Sequence, residues 1–363
     1  MLRILAALLL LLCAGSALAQ ETTIRIGISV PLSGESAVEG VDLRNMLLFA
    51  NERLADAAYR LVIEDDQCSK GSMQAVTIAH KFVNDGIKYV LGFACSGAVL
   101  AAAPVYEKGG VVVIALAAGA PQISGAGEYI FRTIPNLNSA ADKLYAHAEG
   151  RYKSVGIISE ETDYCQGLAA AFKKRNASGA LRIEAVDYLP GAGDFQTILA
   201  ALRKKGVEAL FLNPQTEQGM IALYRDVLDL RWKAPVLGAY YPGFEDFLKT
   251  FGRESDGVVY ADLPFISSAL GPEASRLYAD YQAAYGAPKS SEFYFVTAIS
   301  AFLALHEALT KHENVKDYLH RQKFKNIMGE YSFNANGDVA GETLSFVLKK
   351  NADGRPVPLG PEK

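Results

Sequence analysis

The chain has 363 residues, 50% hydrophobic and 21% charged, with a formal net charge of −4. That length supports two domains, each with its own core. Charge is spread along the chain without long single-sign blocks, which argues against nucleic acid and against an anionic membrane surface as partners.

At the N-terminus Arg3, the apolar run 4–13 and Ala17-Leu18-Ala19 ahead of Gln20 follow the order of a secretory signal peptide. Residues 1–19 are therefore expected to be removed, with cleavage near Ala19-Gln20. The apolar run is too short to cross a bilayer, and no later stretch reaches the roughly 20 apolar residues a spanning helix needs. Leu12 precedes Cys13 where lipid attachment would need a small residue, so a soluble product is expected. Cys68, Cys95 and Cys165 remain, and in an oxidising compartment they imply one disulfide and one leftover thiol. No histidine lies near them at ligand spacing, so neither a metal nor another cofactor is expected.

From residue 22 onward strand-like and helix-like patterns alternate. Residues 23–31 read as a strand, 32–40 as a polar loop, 41–57 as a helix and 59–65 as a strand ending in Asp65-Asp66-Gln67-Cys68. Helical spacing over 72–85 ends at Gly86, a C-cap position. The stretch 89–124 then reads as strand 89–93, a small-residue turn 94–97, a helix to Lys108, strand 111–116 and a second small turn 117–119. Two parallel strand ends thus lie side by side, each followed by residues whose backbone N–H groups can face a ligand. The plain alternative is a pair of βα turns kept small only by close helix packing.

Strand 129–133 runs into a Pro- and Asn-bearing break at 134–138, and the alternation then restarts. Helices are expected at 139–151, 167–175, 194–204 and 218–228, with strands at 154–159, 181–188, 209–213, 235–238 and 257–263. Helices at about 273–285, 292–311 and 315–322 follow, then strands 329–332 and 343–349 around the turn Asn336-Gly337. The βα alternation predicts an α/β fold of two lobes, each a mainly parallel sheet flanked by helices.

Several segments in this order resemble the type I periplasmic solute-binding proteins of ABC importers, in the branch that binds leucine, isoleucine and valine. They are IRIGISVPLSG, IEDDQC, KFVNDGIKYVLG, PVYEKGGVVVI, FRTI, DYCQG, DFQTILAALRKKGVEALFL and NIMGEYSFNANGDVAGE. The resemblance runs over nearly the whole mature chain and implies two lobes joined by three crossovers, at 132–138, 261–264 and 329–333. One lobe would comprise residues 20–135 plus 264–329, the other 136–263 plus 330–363. It also implies a periplasmic monomer that captures a small molecule by hinge closure and presents it to membrane permease subunits. The family's disulfide falls on Cys68 and Cys95. Cys165 is left free beside Tyr164, as a small wall residue or a reactive thiol.

Carried over residue by residue, the resemblance puts a ligand carboxylate on Ser96 and on the backbone of Ala117, Ala118 and Gly119. Gly119 departs from the family pattern, which has a threonine there. Tyr240, in GAYYPG, stands where amino-acid binders of this branch carry the carboxylate that pairs with the ligand ammonium. Glu217 either replaces that charge or caps a helix, and Glu39 either meets a cation at the cleft mouth or is solvated. Tyr164, Tyr240 and Tyr241 would line one lobe while Phe293 and Tyr294 approach from the other, phenol rings pairing apolar area with a hydroxyl. The expected solute is therefore a carboxylate or carbonyl compound with an apolar or aromatic body, with a branched-chain or neutral amino acid as the alternative.

An enzyme is not expected. No Gly-rich phosphate loop, HExxH or GxSxG is present, and His80, His147, His306, His312 and His320 all fall in helical stretches. A ligand-sensing domain serving a separate signalling protein is the remaining rival.

Overall fold

The computed structural model describes residues 23–68, 72–269, 271–311, 314–341 and 345–360. The expected signal peptide, Cys13 and His312 lie outside the described residues. Two sheets organise the chain. The first has the order β2-β1-β3-β4-β5, with β1 Arg25–Val30, β2 Arg60–Asp65, β3 Tyr89–Gly92, β4 Val112–Ala115 and β5 Ile130–Arg132. All its neighbours are parallel. The helices between these strands are α1 Ala37–Leu54, α2 Met73–Asn84 and α3 Ser96–Gly109. Strands β1 and β4 are buried along almost their whole length, the pattern of strands covered on both faces.

The second sheet repeats this winding. β6 Ser154–Glu160, β7 Arg182–Tyr188, β8 Ala209–Asn213, β9 Val236–Ala239 and β10 Val259–Asp262 lie in the order β7-β6-β8-β9-β10, all parallel. They are threaded by α4 Asn138–Glu149, α5 Asp163–Arg175, α6 Gln196–Lys204, α7 Glu217–Asp229 and α8 Glu245–Phe251. Each sheet therefore reverses direction once, at β1/β3 and at β6/β8. Ligand crevices of open α/β sheets form outside the carboxyl ends of strands at such reversals. After α9 Ile266–Ala269 and α10 Pro272–Tyr285, the apolar helix α11 Tyr294–Thr310 packs along α1, and α12 Val315–Arg321 follows.

The C-terminal region departs from the sequence expectation. The turn at Asn336-Gly337 joins β12 Gly329–Phe333 to the short β13 Val339–Ala340, and β12 also pairs with β11 Lys323–Asn326 in a small third sheet. This sheet attaches to β5 through the bridge between Arg132 and Asp338. β14 Val347–Ala352 instead adds antiparallel to β10 in the second sheet, and β15 Arg355–Pro358 closes that sheet's edge. The two prolines of β15 hide it from a reading by strand pattern. At an edge, however, the missing N–H groups cost no ladder hydrogen bond. Strand 343–349 of the sequence reading is thus β14 shifted toward the C-terminus and paired elsewhere.

Candidate functional site

A small cavity lies between the two sheets, at the carboxyl ends of strands from both. It is lined by Ala94, Cys95 and Ala117 after β3 and β4, by Ser36 and Glu39 at the start of α1, and by Tyr294 at the start of α11. Tyr164 of α5, Gln215 after β8, and Tyr240 and Tyr241 after β9 face them. The free space is about 20 Å³, enough for one water. A solute can enter only if the two walls separate.

The wall on the side of the second sheet is built by backbone strain as much as by packing. Tyr240 has φ 52° and ψ −68°, a conformation costly for a non-glycine residue and typical of functional positions. It is held by Tyr240 N–H donating to the Ala261 carbonyl at 3.0 Å. The ring meets Tyr164 at 6.4 Å, Tyr294 at 6.3 Å and Phe346 at 5.5 Å between centroids. Tyr241 donates its hydroxyl to the Gln215 carbonyl. Among the described residues the hydroxyls of Tyr164 and Tyr240 are buried with no partner. Burial raises the pKa values of Tyr164, Tyr240, Tyr241 and Tyr294 far above the ordinary value, so all four remain neutral phenols.

The opposite wall carries a carboxylate. Glu39 is 7% exposed, in the first turn of α1, which runs hard against the chain leaving β1. A Cβ on the neighbouring Gly40 would stand 1.7 Å from the Pro31 carbonyl oxygen, so only glycine lets the helix lie there. Burial, with smaller contributions from Glu217 and Asp42, raises the Glu39 pKa to about 7. Among the described residues no basic side chain pairs with Glu39. Solvation, the alternative open at the sequence level, does not describe this group.

Glu217 is different. Its Oε1 accepts from Phe247 N–H at 2.8 Å, at the start of α8, so it caps a helix, though not the one it begins. Burial raises its pKa to about 7 as well.

The remaining expected residues sit behind the lining. Ser96 Oγ accepts from Ala120 N–H at 3.1 Å and is 1% exposed, so it ties the two small turns together. Ala118 is fully buried, and a Cβ on Gly119 would face Leu137 and Pro135 at the first crossover rather than the cavity. Of that turn, Ala117 alone lines the cavity. Phe293 precedes α11 and is buried, while its neighbour Tyr294 reaches the cavity. Cys68 and Cys95 form a disulfide that pins the cavity wall to the loop after β2. Cys165 is buried outside the cavity lining, and burial raises its thiol pKa far above the ordinary value, which keeps it protonated.

Ser36 and Gln215 escaped the sequence reading, whereas Ala94 belongs to the turn 94–97 that it singled out. Ser36 lies in the loop after β1 and Gln215 just after β8, so position beyond a strand's carboxyl end is the signal that would have found them.

Outside the cavity, and sharing Cys95 and Gln215 with it, opens a groove of about 440 Å³. Glu35, Glu160, Glu161 and Asp163 line it together with Ser72, Thr162 and Thr216, and among the described residues no lysine or arginine does. Thr216 donates its hydroxyl to Glu35 at 3.3 Å, a contact from one half of the molecule to the other. Among the described residues no cluster of metal ligands forms, and no helix is long and apolar enough to cross a membrane.

Among known proteins, the chain is 28% identical over 333 residues to the leucine-, isoleucine-, valine-, threonine- and alanine-binding protein of Pseudomonas aeruginosa, covering 87% of each. It is 25% identical over 296 residues to the Leu/Ile/Val-binding protein of Escherichia coli K12, covering 78% of this chain and 77% of the relative. The fold superposes on a leucine-binding protein of Thermotoga maritima with a TM-score of 0.81 at 18% identity, covering 93% of this chain and 98% of that one. It superposes as well on a Rhodopseudomonas palustris solute-binding protein in complex with benzoate, TM-score 0.80 at 18% identity, covering 93% and 96%. Residues 23–354 match the family model of the periplasmic binding proteins, and the chain belongs to that family, in its type I, branched-chain amino acid branch.

Proposed function

We propose that the protein is the periplasmic capture component of an ABC importer and takes up a small organic solute by closure of its two halves. The carrying observation is a cavity walled by both sheets at their carboxyl ends, too small in the closed form to admit any solute. The crossings at 133–137 and 262–265 would serve as the hinge, and the third would fall between β13 and β14 rather than at the expected 329–333, because 329–333 is β12, paired with β11 and β13. Residues 23–132 and 266–340 would move against 138–261 and 347–358. In the open form the turns at 94–97 and 117–119 hold the solute's polar end, an oxygen-rich group that accepts backbone hydrogen bonds at the start of α3. Tyr164, Tyr240 and Tyr241 of the other half then close over its apolar body, against Tyr294.

Permease subunits in the membrane recognise the closed form, and the solute is handed over unchanged by a monomeric carrier. Mass spectrometry of what is released on denaturing the purified protein identifies the solute. Small-angle scattering with and without it tests closure, since a radius of gyration that does not shrink on binding defeats the hinge reading. Recovery of a chemically altered solute would make the protein an enzyme instead.

A further inference from the structure

We propose that Glu39 and the tyrosines facing it form a receptor for a cationic nitrogen, so that the captured solute carries an ammonium or quaternary nitrogen. This rests on the capture reading above. The position on the second half that supplies an acid in amino-acid binders holds Tyr240, which led the sequence reading away from nitrogenous cations. In the folded chain Glu39 occupies the opposite wall of the same cavity.

Three observations converge. Glu39 is almost fully buried with no cation beside it among the described residues, an arrangement that is unfavourable until a positive charge arrives. The hydroxyls of Tyr164 and Tyr240, buried and unpartnered among the described residues, belong to the same lining, and their rings stand at 6.4 Å in a wall that also includes Tyr241, with Tyr294 on the Glu39 side. Neutral phenol rings around a carboxylate attract an organic cation through their faces while shielding it from water. Finally, the lining of the adjoining groove holds four carboxylates and, among the described residues, no basic side chain, a field that favours cations over a free benzoate-like anion.

The other charges near Glu39 do not neutralise it. Asp42 accepts from Lys289 N–H, Ser290 N–H and Ser290 Oγ, and Glu217 accepts from Phe247 N–H. Arg132, behind Tyr240, is committed to Asp338. A cation binding beside Glu39 lowers its pKa, so a proton is released near neutral pH.

The test is titration calorimetry on refolded, ligand-free protein with 3-methylbutylamine, L-leucine, glycine betaine, 4-methylpentanoate and benzoate, in two buffers of different ionisation enthalpy. At least one nitrogen-bearing probe should bind about tenfold or more tighter than 4-methylpentanoate. If that probe is the amine or leucine, the heat should reveal proton release at pH 7. Glu39→Gln should weaken that probe by about tenfold or more and abolish the release, and Glu39→Asp should retain part of both. Affinity unchanged in Glu39→Gln, or binding of the two acids alone, overturns the receptor. Acid binding with compaction in scattering would do so while leaving the capture reading intact, whereas no compaction with any probe defeats both.

Discussion

The guanidinium of Arg132 and the carboxylate of Asp338 lie 2.7 Å apart, joining the last strand of the first sheet to the turn after β12, with Arg132 fully buried. The remaining guanidinium nitrogens donate to the Ala120 carbonyl at 2.7 Å and to Ser124 Oγ at 2.8 Å. One side chain thus fixes the first crossover, the small turn behind the cavity and the third sheet. Arg132→Met leaves Asp338 without its cation, keeping only the Ser124 hydroxyl as a side-chain donor among the described residues, and should cost about 3–5 kcal/mol of stability by urea unfolding. A loss below about 1 kcal/mol would mean the cluster is not a structural tie.

Ser96→Ala removes the acceptor of the Ala120 amide, in a place water does not reach. The expected cost is about 1–2 kcal/mol in unfolding free energy, alongside any effect on binding. A variant as stable as the parent, yet weaker in binding, would return the Ser96 hydroxyl to the solute.

Gly167 of α5 faces Pro121 and Gln122 across the closed interface, and a Cβ there would sit 2.7 Å from the Gln122 side chain and 3.0 Å from Pro121. Gly167→Leu should prop the halves apart. Scattering should report a larger radius of gyration, and solute affinity should fall by about tenfold or more. Unchanged compaction would place the closing contact elsewhere.

Glu39, Glu217 and Asp66 all have folded pKa values raised to about 7 by burial. Because the folded state then holds protons that the unfolded state has lost, stability should fall as pH rises from about 4.5 to about 7 and level off above. Glu39→Gln should remove part of that slope. A flat profile across this window would contradict the burial of these acids.

The Cys68–Cys95 bridge closes a loop with a sequence separation of 27. Its reduction, or Cys68→Ser with Cys95→Ser, should lower stability by roughly 3–4 kcal/mol on loop entropy alone. Chemical denaturation with and without reductant measures it.

Much of this architecture was legible. Parallel strands buried on both faces read as continuous apolar runs, as in β1 and β4, and the restart after Pro135 announced the repeated winding. The C-terminal strands were not, because β15 contains Pro356 and Pro358 and because the partner of β14 is β10, far away in sequence. In the site, Tyr164, Tyr240 and Tyr241 were legible through the family resemblance, and all three line the cavity. Glu39 was visible as a residue but not as a buried one, since its burial depends on Gly40 admitting α1 against Pro31. Ser96 was found, but pattern does not reveal that its hydroxyl accepts from the Ala120 amide in the closed form.

The ring of tyrosines has an optical corollary. The sole tryptophan, Trp232, stands before β9, at the end of that strand away from the cavity. Emission excited at the red edge, where indole alone absorbs, should therefore stay nearly silent during capture, while phenol absorbance and near-ultraviolet dichroism register it.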